Sequence, residues 1–345
     1  MSRRERHWAS GPAESLTTKR TRGRCPIRQH SRIPLVSFLL VIAVMVFMAG
    51  ACGGSKPKPE TGFTVTDDLG KTFSFDEPVN SIVSLAPANT EIVFAIGAGD
   101  KLIGRTDYCN YPPEAASVES VGSFSSPNKE KVVVLNPDVV LATDIHHQSG
   151  DTAWLEEKGL KVVTLAPKTL ADILTDISLV GQITGKEAKA GELVADMQSR
   201  INYVAQKTAG LSDNQRPRVL HVTWHDPLWT EGQGSFIDAL IEIAGGVNIF
   251  HDVTGDAQVD LETAVIRNPE VTTVFTGSGS AVNESYDYIR GSDSPFKTTD
   301  AYTNPNGKRI YLVDADLASR YGPRIVDALE IYARVIHPEI FGQPE

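Results

Sequence analysis

The sequence predicts an α/β fold of two lobes that are joined by one long helix and enclose a ligand cleft between them. Short apolar strands alternate with helices in residues 63–183, which is typical of a parallel sheet covered by helices. Residues 184–212 carry the apolar spacing of a single helix, and the alternation resumes in residues 213–345. Two such lobes on one helix leave a groove between them, where ligands commonly bind.

Residues 1–51 have the features of a secretory signal peptide. A basic leader precedes the apolar run Phe38–Ala51, and small residues lead up to Cys52. The apolar run is shorter than the about 20 residues that a membrane-spanning helix needs. Because the leader is unusually long, we expect translation to start downstream of Met1.

Cys52 predicts a lipid anchor. Bacterial lipoproteins receive their lipid on a Cys at the first mature position, and residues 52–62 have the Gly, Ser and Pro content of a flexible tether. We therefore expect a protein that is exported and held by lipid on the extracytoplasmic face of the cell membrane. Ala49 stands where such signals usually carry Leu, so an uncut anchor and plain secretion are the alternatives.

The mature chain is strongly acidic. Of the 33 basic and 43 acidic residues, nine basic and two acidic ones lie in residues 1–51, which leaves 24 basic and 41 acidic residues and a formal charge of -17 from Cys52 onward. Nucleic-acid binding depends on neutralising phosphates, so this charge argues against a nucleic-acid partner and favours docking on a basic protein surface. Cys109 is the other Cys of the mature chain, which predicts no intrachain disulfide.

The first lobe is predicted to begin with a β-hairpin over Phe63–Phe75, which alternates apolar and polar residues around the turn Asp68–Lys71. Asn89 or Thr90 would cap the first helix and Asn128 the second, because short polar side chains accept from free backbone N–H groups. The predicted strands are Ile82–Leu85, Leu102–Arg105, Val139–Ala142 and Val162–Leu165, and the predicted helices end at Ile96, Leu135 and Lys158.

Helical segments and then the second lobe follow. Gly185 separates the apolar face of Ile173, Ile177 and Val180 from a second stripe, which runs to Val204 and predicts a helix of about 20 residues. In the second lobe the predicted strands are Arg218–Thr223, Val271–Thr276 and Ile310–Val313, and the predicted helices are Phe236–Ala244, Leu261–Arg267 and Pro323–Ile336.

A short pattern occurs once in each lobe. Glu130 is followed at the sixth and seventh positions by Asn136-Pro137, and Glu262 is followed at the same offsets by Asn268-Pro269. An acidic residue and Val come next in both cases. Pro cannot continue a helix, so each pattern predicts a helix that stops before a strand. Such joints are common, but the equal position of the glutamates favours an internal duplication.

Signatures of catalysis and of a resident metal are missing. The chain has neither a GxxxxGK[ST] phosphate loop nor a GxSxG elbow, so we expect no enzyme activity and no intrinsic cofactor. His221 and His225 would lie roughly 13 Å apart on one strand, too far for one ion. His146 and His147 are predicted to be solvated loop residues. His146 or His225 could still ligate a metal that a ligand brings with it.

Aromatic residues at or just past predicted strand ends predict a binding surface for a large flat ligand. Ligand sites of α/β folds form at the carboxyl ends of the strands, and these residues come from both lobes. Asp316 and Arg320 follow the last strand and could pair or meet polar edges of the ligand. The aromatic residues are Tyr108, Tyr111, Phe124, Trp224, Trp229 and Tyr321.

Five segments resemble the substrate-binding proteins of ABC importers for cobalamin, heme and ferric siderophores. They occur in order over about residues 63–340, and the first two are similar to the cobalamin-binding members in particular. The resemblance implies two Rossmann-like lobes that a single helix connects rigidly. The segments are SLAPANTEIVFAIG (84–97), TDYCNYPPEA (106–115), NKEKVVVLNPDVVLA (128–142), GGVNIF (245–250) and DADLASRYGPR (314–324).

The resemblance also implies roles for individual residues. By position, the family's cobalamin-contacting aromatics fall on Tyr108, Phe124 and Trp229, and its polar contacts fall on Asp316 and Arg320. Thr143 and Asp256 stand where cobalamin-binding members carry Trp, so heme or a ferric siderophore is the alternative ligand.

Glu130 and Glu262 match the two glutamates by which this family docks on arginine pockets of its permease dimer. We therefore expect a monomeric, lipid-anchored protein that captures a corrinoid and delivers it to an ABC permease with its ATPase. An exported α/β hydrolase and a ligand-sensing module without a permease are the remote alternatives.

Overall fold

The computed structural model describes residues 62–276 and 284–344. It contains two four-stranded parallel sheets. The predicted signal peptide and Cys52 lie outside the described residues, as does most of the predicted tether. The described residues belong to one compact unit. The exact lobe limits at residues 183 and 213 stay predictions.

The first lobe opens with the predicted hairpin. Its strands β1 and β2 pair antiparallel, with Phe63 opposite Phe75 and Thr66 opposite Thr72. Its parallel sheet has the strand order β4-β3-β5-β6. The strands are β1 Phe63–Thr66, β2 Thr72–Phe75, β3 Ile82–Ser84, β4 Leu102–Arg105, β5 Val139–Ala142 and β6 Val162–Thr164. The helices are α1 Pro87–Ala95, α2 Lys129–Leu135, α3 Asp144–Gln148, α4 Asp151–Glu157 and α5 Leu170–Thr184, followed by the long α6 Glu187–Thr208.

The second lobe has a parallel sheet of order β10-β7-β12-β13 and a small antiparallel sheet of order β11-β9-β8. The strands are β7 Arg218–Val222, β8 Trp224–His225, β9 Leu228–Glu231, β10 Val247–Asn248, β11 Asp256–Gln258, β12 Val271–Phe275 and β13 Ile310–Val313. The helices are α7 Phe236–Ile243, α8 Leu261–Ile266, α9 Glu284–Arg290, α10 Asp300–Thr303, α11 Ala315–Ser319, α12 Ile325–Ile336 and α13 Pro338–Phe341.

The two lobes repeat one strand topology, as the predicted duplication would produce. If the parallel strands of each lobe are numbered in chain order, both sheets have the order 2-1-3-4. Asn136 and Asn268, which end the two repeated helices, have φ of 48° and 50°, and they are the non-glycine residues with positive φ in the described chain. Asn tolerates this left-handed conformation, which stops a helix and redirects the chain into the next strand.

The long helix α6 contacts elements of both lobes. It packs on α5 of the first lobe and on α7 and α12 of the second. Met197 and Val204 of α6 belong to the same buried apolar cluster as Ile177 of α5 and Leu329 of α12. Arg200 of α6 adds two hydrogen bonds to α12, at 2.7 Å to Glu330 and 2.5 Å to Asp327. A continuous apolar core therefore runs from the first lobe through α6 to the second.

Three local predictions were wrong. The first helix begins at Pro87 and not after Asn89 or Thr90, because Pro has the backbone φ of a first helical residue and Ala86 before it is extended. Asn89 lies inside the helix, where its side chain donates to the Ala142 carbonyl. The strand predicted to reach Thr223 ends at Val222, and a β8–β9 hairpin that was not predicted follows. His146 lies in a short helix, α3, and not in a loop.

Candidate ligand cleft

A cavity of about 430 Å³ opens between the lobes at the carboxyl ends of the strands. The residues that follow β3, β5 and β6 form its first-lobe wall, and α11 with Tyr321 contributes the second-lobe wall. Parallel strands end at one edge of a sheet, which brings these separate segments together. The volume lies in the range of small-molecule sites.

Tyr108 and Phe124 line the cleft as predicted. Tyr108 is 60% exposed, a high value for an aromatic side chain and one that leaves its ring free to contact a ligand. Phe124 is oriented by His146, whose ring meets it edge-on with centroids 5.2 Å apart. His146 Nε2 also donates to the Phe124 carbonyl at 2.8 Å. The first-lobe wall therefore presents one free aromatic ring and one that is held in place.

His146 is buried, which contradicts its predicted place in a solvated loop. Its Nδ1 accepts from the Thr143 backbone at 3.2 Å and contacts the Thr143 hydroxyl at 2.9 Å, while Nε2 is used by Phe124. Burial lowers the pKa of His146, so the imidazole is neutral. Both ring nitrogens are engaged, and His146 supports the cleft wall rather than offering a metal ligand.

Asp316 and Arg320 both line the cleft, but they also form an ion pair with each other at 2.6 Å. Arg320 is 9% exposed, and its other amino group donates to Asn110 at 2.8 Å and to Glu91 at 3.2 Å. Asn110 and Glu91 belong to the first lobe. The structure thus assigns Arg320 a contact between the lobes that sequence reasoning missed.

Glu91 is the centre of this contact, which we call the interlobe latch and define as Glu91, Arg320 and Arg324. Arg324 donates to both Glu91 oxygens, at 2.8 and 2.6 Å, in a bidentate pair. Its guanidinium also lies 3.8 Å from the centroid of the Tyr111 ring. Tyr111 therefore stacks on the latch and is absent from the cleft wall.

Trp229 does not line the main cleft. With Thr223, Trp224 and Asp256 it surrounds a separate open hollow of about 280 Å³. Trp224 and Trp229 are directly opposite on β8 and β9, and Trp224 is 45% exposed. The structure therefore separates the predicted aromatic surface into the cleft and this hollow.

His225 lies beside the hollow. Its ring contacts those of Trp224 and Tyr288, each with centroids 4.8 Å apart, and its Nδ1 lies 3.0 Å from the Ser285 hydroxyl. Among residues 62–276 and 284–344, no group of three or more His, Cys, Asp or Glu side chains could hold a metal ion. His221 is buried in the second-lobe core, which lowers its pKa to about 3.

Tyr321 lines the cleft and lies near a half-buried carboxyl group, that of Glu231. Its ring stacks on Phe236 with centroids 4.1 Å apart, and burial together with the nearby Glu231 raises its pKa to about 12. Burial also raises the pKa of Glu231 to about 7, and the charge of Asp256 adds to that rise. The second-lobe wall therefore combines the aromatic ring of Tyr321 with two groups whose pKa values are raised, the Tyr321 hydroxyl and the Glu231 carboxyl.

Asp176 is a cleft residue that sequence reasoning missed. It lies on α5, lines the cavity and is 1% exposed. The Asp68 carboxyl group lies near it, and its Oδ1 has no hydrogen-bond partner among the described residues. Burial first, and then the charges of Asp68 and Asp172, raise its pKa to about 8. A neutral carboxyl group thus stands in the cleft wall, able to donate or accept a hydrogen bond.

The raised pKa of Asp176 predicts a specific pH dependence of the protein's stability. Its folded-state pKa of about 8 exceeds the ordinary value of 3.8, so folding favours the protonated form. The stability that this proton confers is complete below pH 4 and is lost as pH rises through about 8. We expect Asp176→Asn to unfold at the same temperature as the wild type near pH 4 and at a higher temperature at pH 8, measured by thermal denaturation.

Asp196→Asn is the control, because Asp196 is exposed on α6. It should follow the pH profile of the wild type. A parallel decline of the Asp176→Asn and wild-type midpoints between pH 4 and 8 would refute the assignment.

A family model for periplasmic binding proteins matches residues 82–304, which is more than half of the chain. This protein belongs to the periplasmic binding protein family. Such proteins are substrate-binding components of ABC transporters and not a class of enzymes, so the family supports extracytoplasmic binding as the function.

Three similar proteins place this binding protein among known ones. An uncharacterised ABC transporter substrate-binding lipoprotein of Bacillus subtilis, YvrC, is 31% identical over 88% of this chain and 97% of its own. A vitamin B12-binding protein of Vibrio cholerae is 28% identical over 73% of this chain and 87% of its own. The solved structure of the apo heme-binding protein RhuT of Roseiflexus sp. RS-1 has the same fold, with a TM-score of 0.64 at 24% identity over 75% of this chain and 98% of its own.

The two glutamates of this periplasmic binding protein occupy equivalent, exposed positions. Glu130 lies in the first turn of α2 and Glu262 in the first turn of α8. Asn128 caps α2 by accepting from the third residue of the helix, and Asp260 caps α8 in the same way. Each lobe thus presents one carboxylate at the same place on the repeated helix. No helix in the part of the chain that the structure describes combines the length and hydropathy needed to span a bilayer.

Proposed function

We propose that this protein is a lipid-anchored receptor that captures a corrinoid and delivers it to an ABC permease. The observation that carries the proposal is the cleft, where Tyr108, Phe124 and Tyr321 form an apolar wall and Asp176 and Asp316 provide polar groups. Large flat chelates with polar side arms bind by stacking on aromatic rings while a few polar groups fix their orientation. The vitamin B12-binding relative supports a corrinoid in this role.

Heme or a ferric siderophore is the alternative ligand, and two positions favour it. Thr143 lines the cleft and Asp256 lines the neighbouring hollow. Neither offers the stacking surface of the Trp that cobalamin-binding members carry there. The exposed Tyr108 hydroxyl is an oxygen ligand of the kind that ferric iron accepts.

Anchoring and docking complete the proposal. Lipid on Cys52 would keep the receptor close to the membrane, which raises its effective concentration near the permease. The lipoprotein among its relatives supports this anchor. Glu130 and Glu262 would dock on basic pockets of the two permease subunits, because charge complementarity speeds encounter and sets orientation.

A titration distinguishes the ligands. Protein comprising residues 61–345 is mixed with cobalamin, hemin or a ferric siderophore, and absorbance is followed. We expect a saturable spectral change with cobalamin. Phe124→Ala should raise the dissociation constant for the bound chelate roughly tenfold, since one stacked aromatic ring contributes on the order of 1–2 kcal/mol.

Trp154→Ala is the matched control for Phe124→Ala, because Trp154 contacts Lys129 and Lys158 away from the cleft wall. It should leave the dissociation constant unchanged. A spectral change with hemin alone would select the alternative ligand. An unchanged spectrum with all three chelates would reject the proposed function.

A further inference from the structure

Val134 and Ile266 are far more exposed than the other large apolar residues that the structure describes. They are 83% and 81% exposed, whereas the next value is 60% for Tyr108 in the cleft. Side chains this exposed add little packing to the fold. β-Branched residues also have lower helix propensity than the residues usual at solvent-facing helix positions. Neither the packing nor the helix propensity of the folded chain therefore explains why these two positions carry exposed aliphatic side chains.

The two residues are equivalent in the repeat. Val134 lies four residues after Glu130 on α2, and Ile266 lies four residues after Glu262 on α8. Residues at this spacing share one face of a helix. Between them Val132 and Ala264 are buried. Each repeated helix thus presents one carboxylate and one aliphatic side chain on its outer face.

Neighbouring cations do not neutralise these glutamates. Lys129 pairs with Asp151 at 2.7 Å, and Lys131 pairs with Glu119 at 2.9 Å. In the second lobe Arg267 pairs with Asp252 at 2.6 Å. Within the described ranges neither Glu130 nor Glu262 takes part in an ion pair. Both carboxylates are available to a cation on another molecule.

Both helices start on the cleft side of their lobes. Asn128, which caps α2, follows shortly after Phe124 of the cleft wall. α8 leads into the parallel strand β12, so its cap Asp260 lies toward the carboxyl end of that sheet, where α11 lines the cleft. A partner that covers the cleft mouth would meet both helices together.

We propose that Val134 and Ile266 are the apolar parts of two docking patches, Glu130/Val134 and Glu262/Ile266, for the permease. The inference rests on the proposed function and adds the chemistry of the partner site. Each permease subunit would offer an apolar socket beside cationic side chains, and the two sockets would be related by two-fold symmetry. Simultaneous engagement of both patches would strengthen weak individual contacts.

The test measures binding of the full-length protein to its permease–ATPase complex in nanodiscs. Val134→Ser with Ile266→Ser should raise the dissociation constant at least roughly tenfold, because two buried aliphatic contacts are lost. Each single variant should have a smaller effect. Folding should be unchanged, since Ser and Val have similar helix propensities. Tyr203→Ser, 55% exposed on α6 and outside both repeated helices, is the control and should bind like the wild type.

The outcomes separate this inference from the proposed function. Normal binding by the Ser double variant, together with lost binding by Glu130→Gln with Glu262→Gln, would overturn the apolar role and leave docking by the glutamates intact. No binding by the wild type would reject delivery to the permease altogether. Self-association of the wild type in mass photometry that the Ser double variant abolishes would assign the patches to a second copy of this chain and overturn the inference.

Discussion

We expect Glu91→Ala to lower the thermal unfolding midpoint by roughly 10 °C. Glu91 is 3% exposed and accepts three hydrogen bonds from Arg320 and Arg324. Removing one partner from a buried ion pair leaves uncompensated charge and costs about 3–5 kcal/mol. For a chain of this size each kcal/mol shifts the midpoint by about 2–4 °C.

The interlobe latch also explains why the loss of stability in Glu91→Ala should extend beyond one lobe. Glu91 lies on α1 of the first lobe, and the two arginines follow β13 of the second. Gly322 between them lies so close to α1 that an added Cβ would be 3.3 Å from the Ala88 carbonyl oxygen. Without Glu91, the guanidinium groups of Arg320 and Arg324 would lose the first-lobe carboxylate that they share.

A surface pair provides the comparison for Glu91. Glu192 pairs with Lys189 at 2.7 Å on the outer face of α6, where both side chains are more than half exposed. Glu192→Ala should change stability by less than about 0.5 kcal/mol. Differential scanning calorimetry of both variants checks the prediction, and a Glu91→Ala midpoint within 2 °C of the wild type (about the effect of 1 kcal/mol) would contradict the latch.

Reversing the charges of both proposed docking residues, Glu130→Lys with Glu262→Lys, should abolish uptake while leaving ligand binding intact. Like charges across an interface cost several kcal/mol, so two of them should weaken docking roughly a thousandfold or more. Neither glutamate lines the cleft, so the chelate should still bind. Uptake of labelled chelate into cells measures the first effect, and the absorbance titration measures the second.

The control for this experiment changes net charge by the same amount elsewhere. Glu157 at the end of α4 and Glu187 at the start of α6 are also exposed. Their double reversal to Lys should leave uptake near the wild-type rate. Undiminished uptake by the Glu130/Glu262 variant, or equal loss in the control, would rule out docking through these two residues.

Local patterns predicted most helices and strands, because their signals are carried by neighbouring residues. Asn128 and Asp260 cap their helices, and Asn136-Pro137 and Asn268-Pro269 end them. The short elements were missed for the opposite reason. The β8–β9 hairpin has two-residue pairing, and α3 has a single turn, so neither extends over a full apolar period.

Asp176 shows how the sequence signal for a site residue can be overlooked. It follows Ile173 by three residues and precedes Val180 by four, so it lies on the buried face of α5. A lone carboxyl on an apolar helix face indicates either a partner or a functional role. Its neighbour in the fold, Asp68, is 108 residues away in sequence, at the hairpin turn. No local pattern predicts that encounter.

The sequence by itself determined the family, the two α/β lobes, the repeated glutamate helices and the cleft positions of Tyr108 and Phe124. The family follows from the five segments that resemble the binding proteins of ABC importers, and the other features depend on periodicity, caps and the rule that parallel strands end at one edge. The tertiary structure alone decided that Arg320 joins Glu91 across the lobes, that His146 supports Phe124, and that Trp229 faces a separate hollow. Those outcomes depend on distances between segments far apart in the chain, which only packing of the lobes sets.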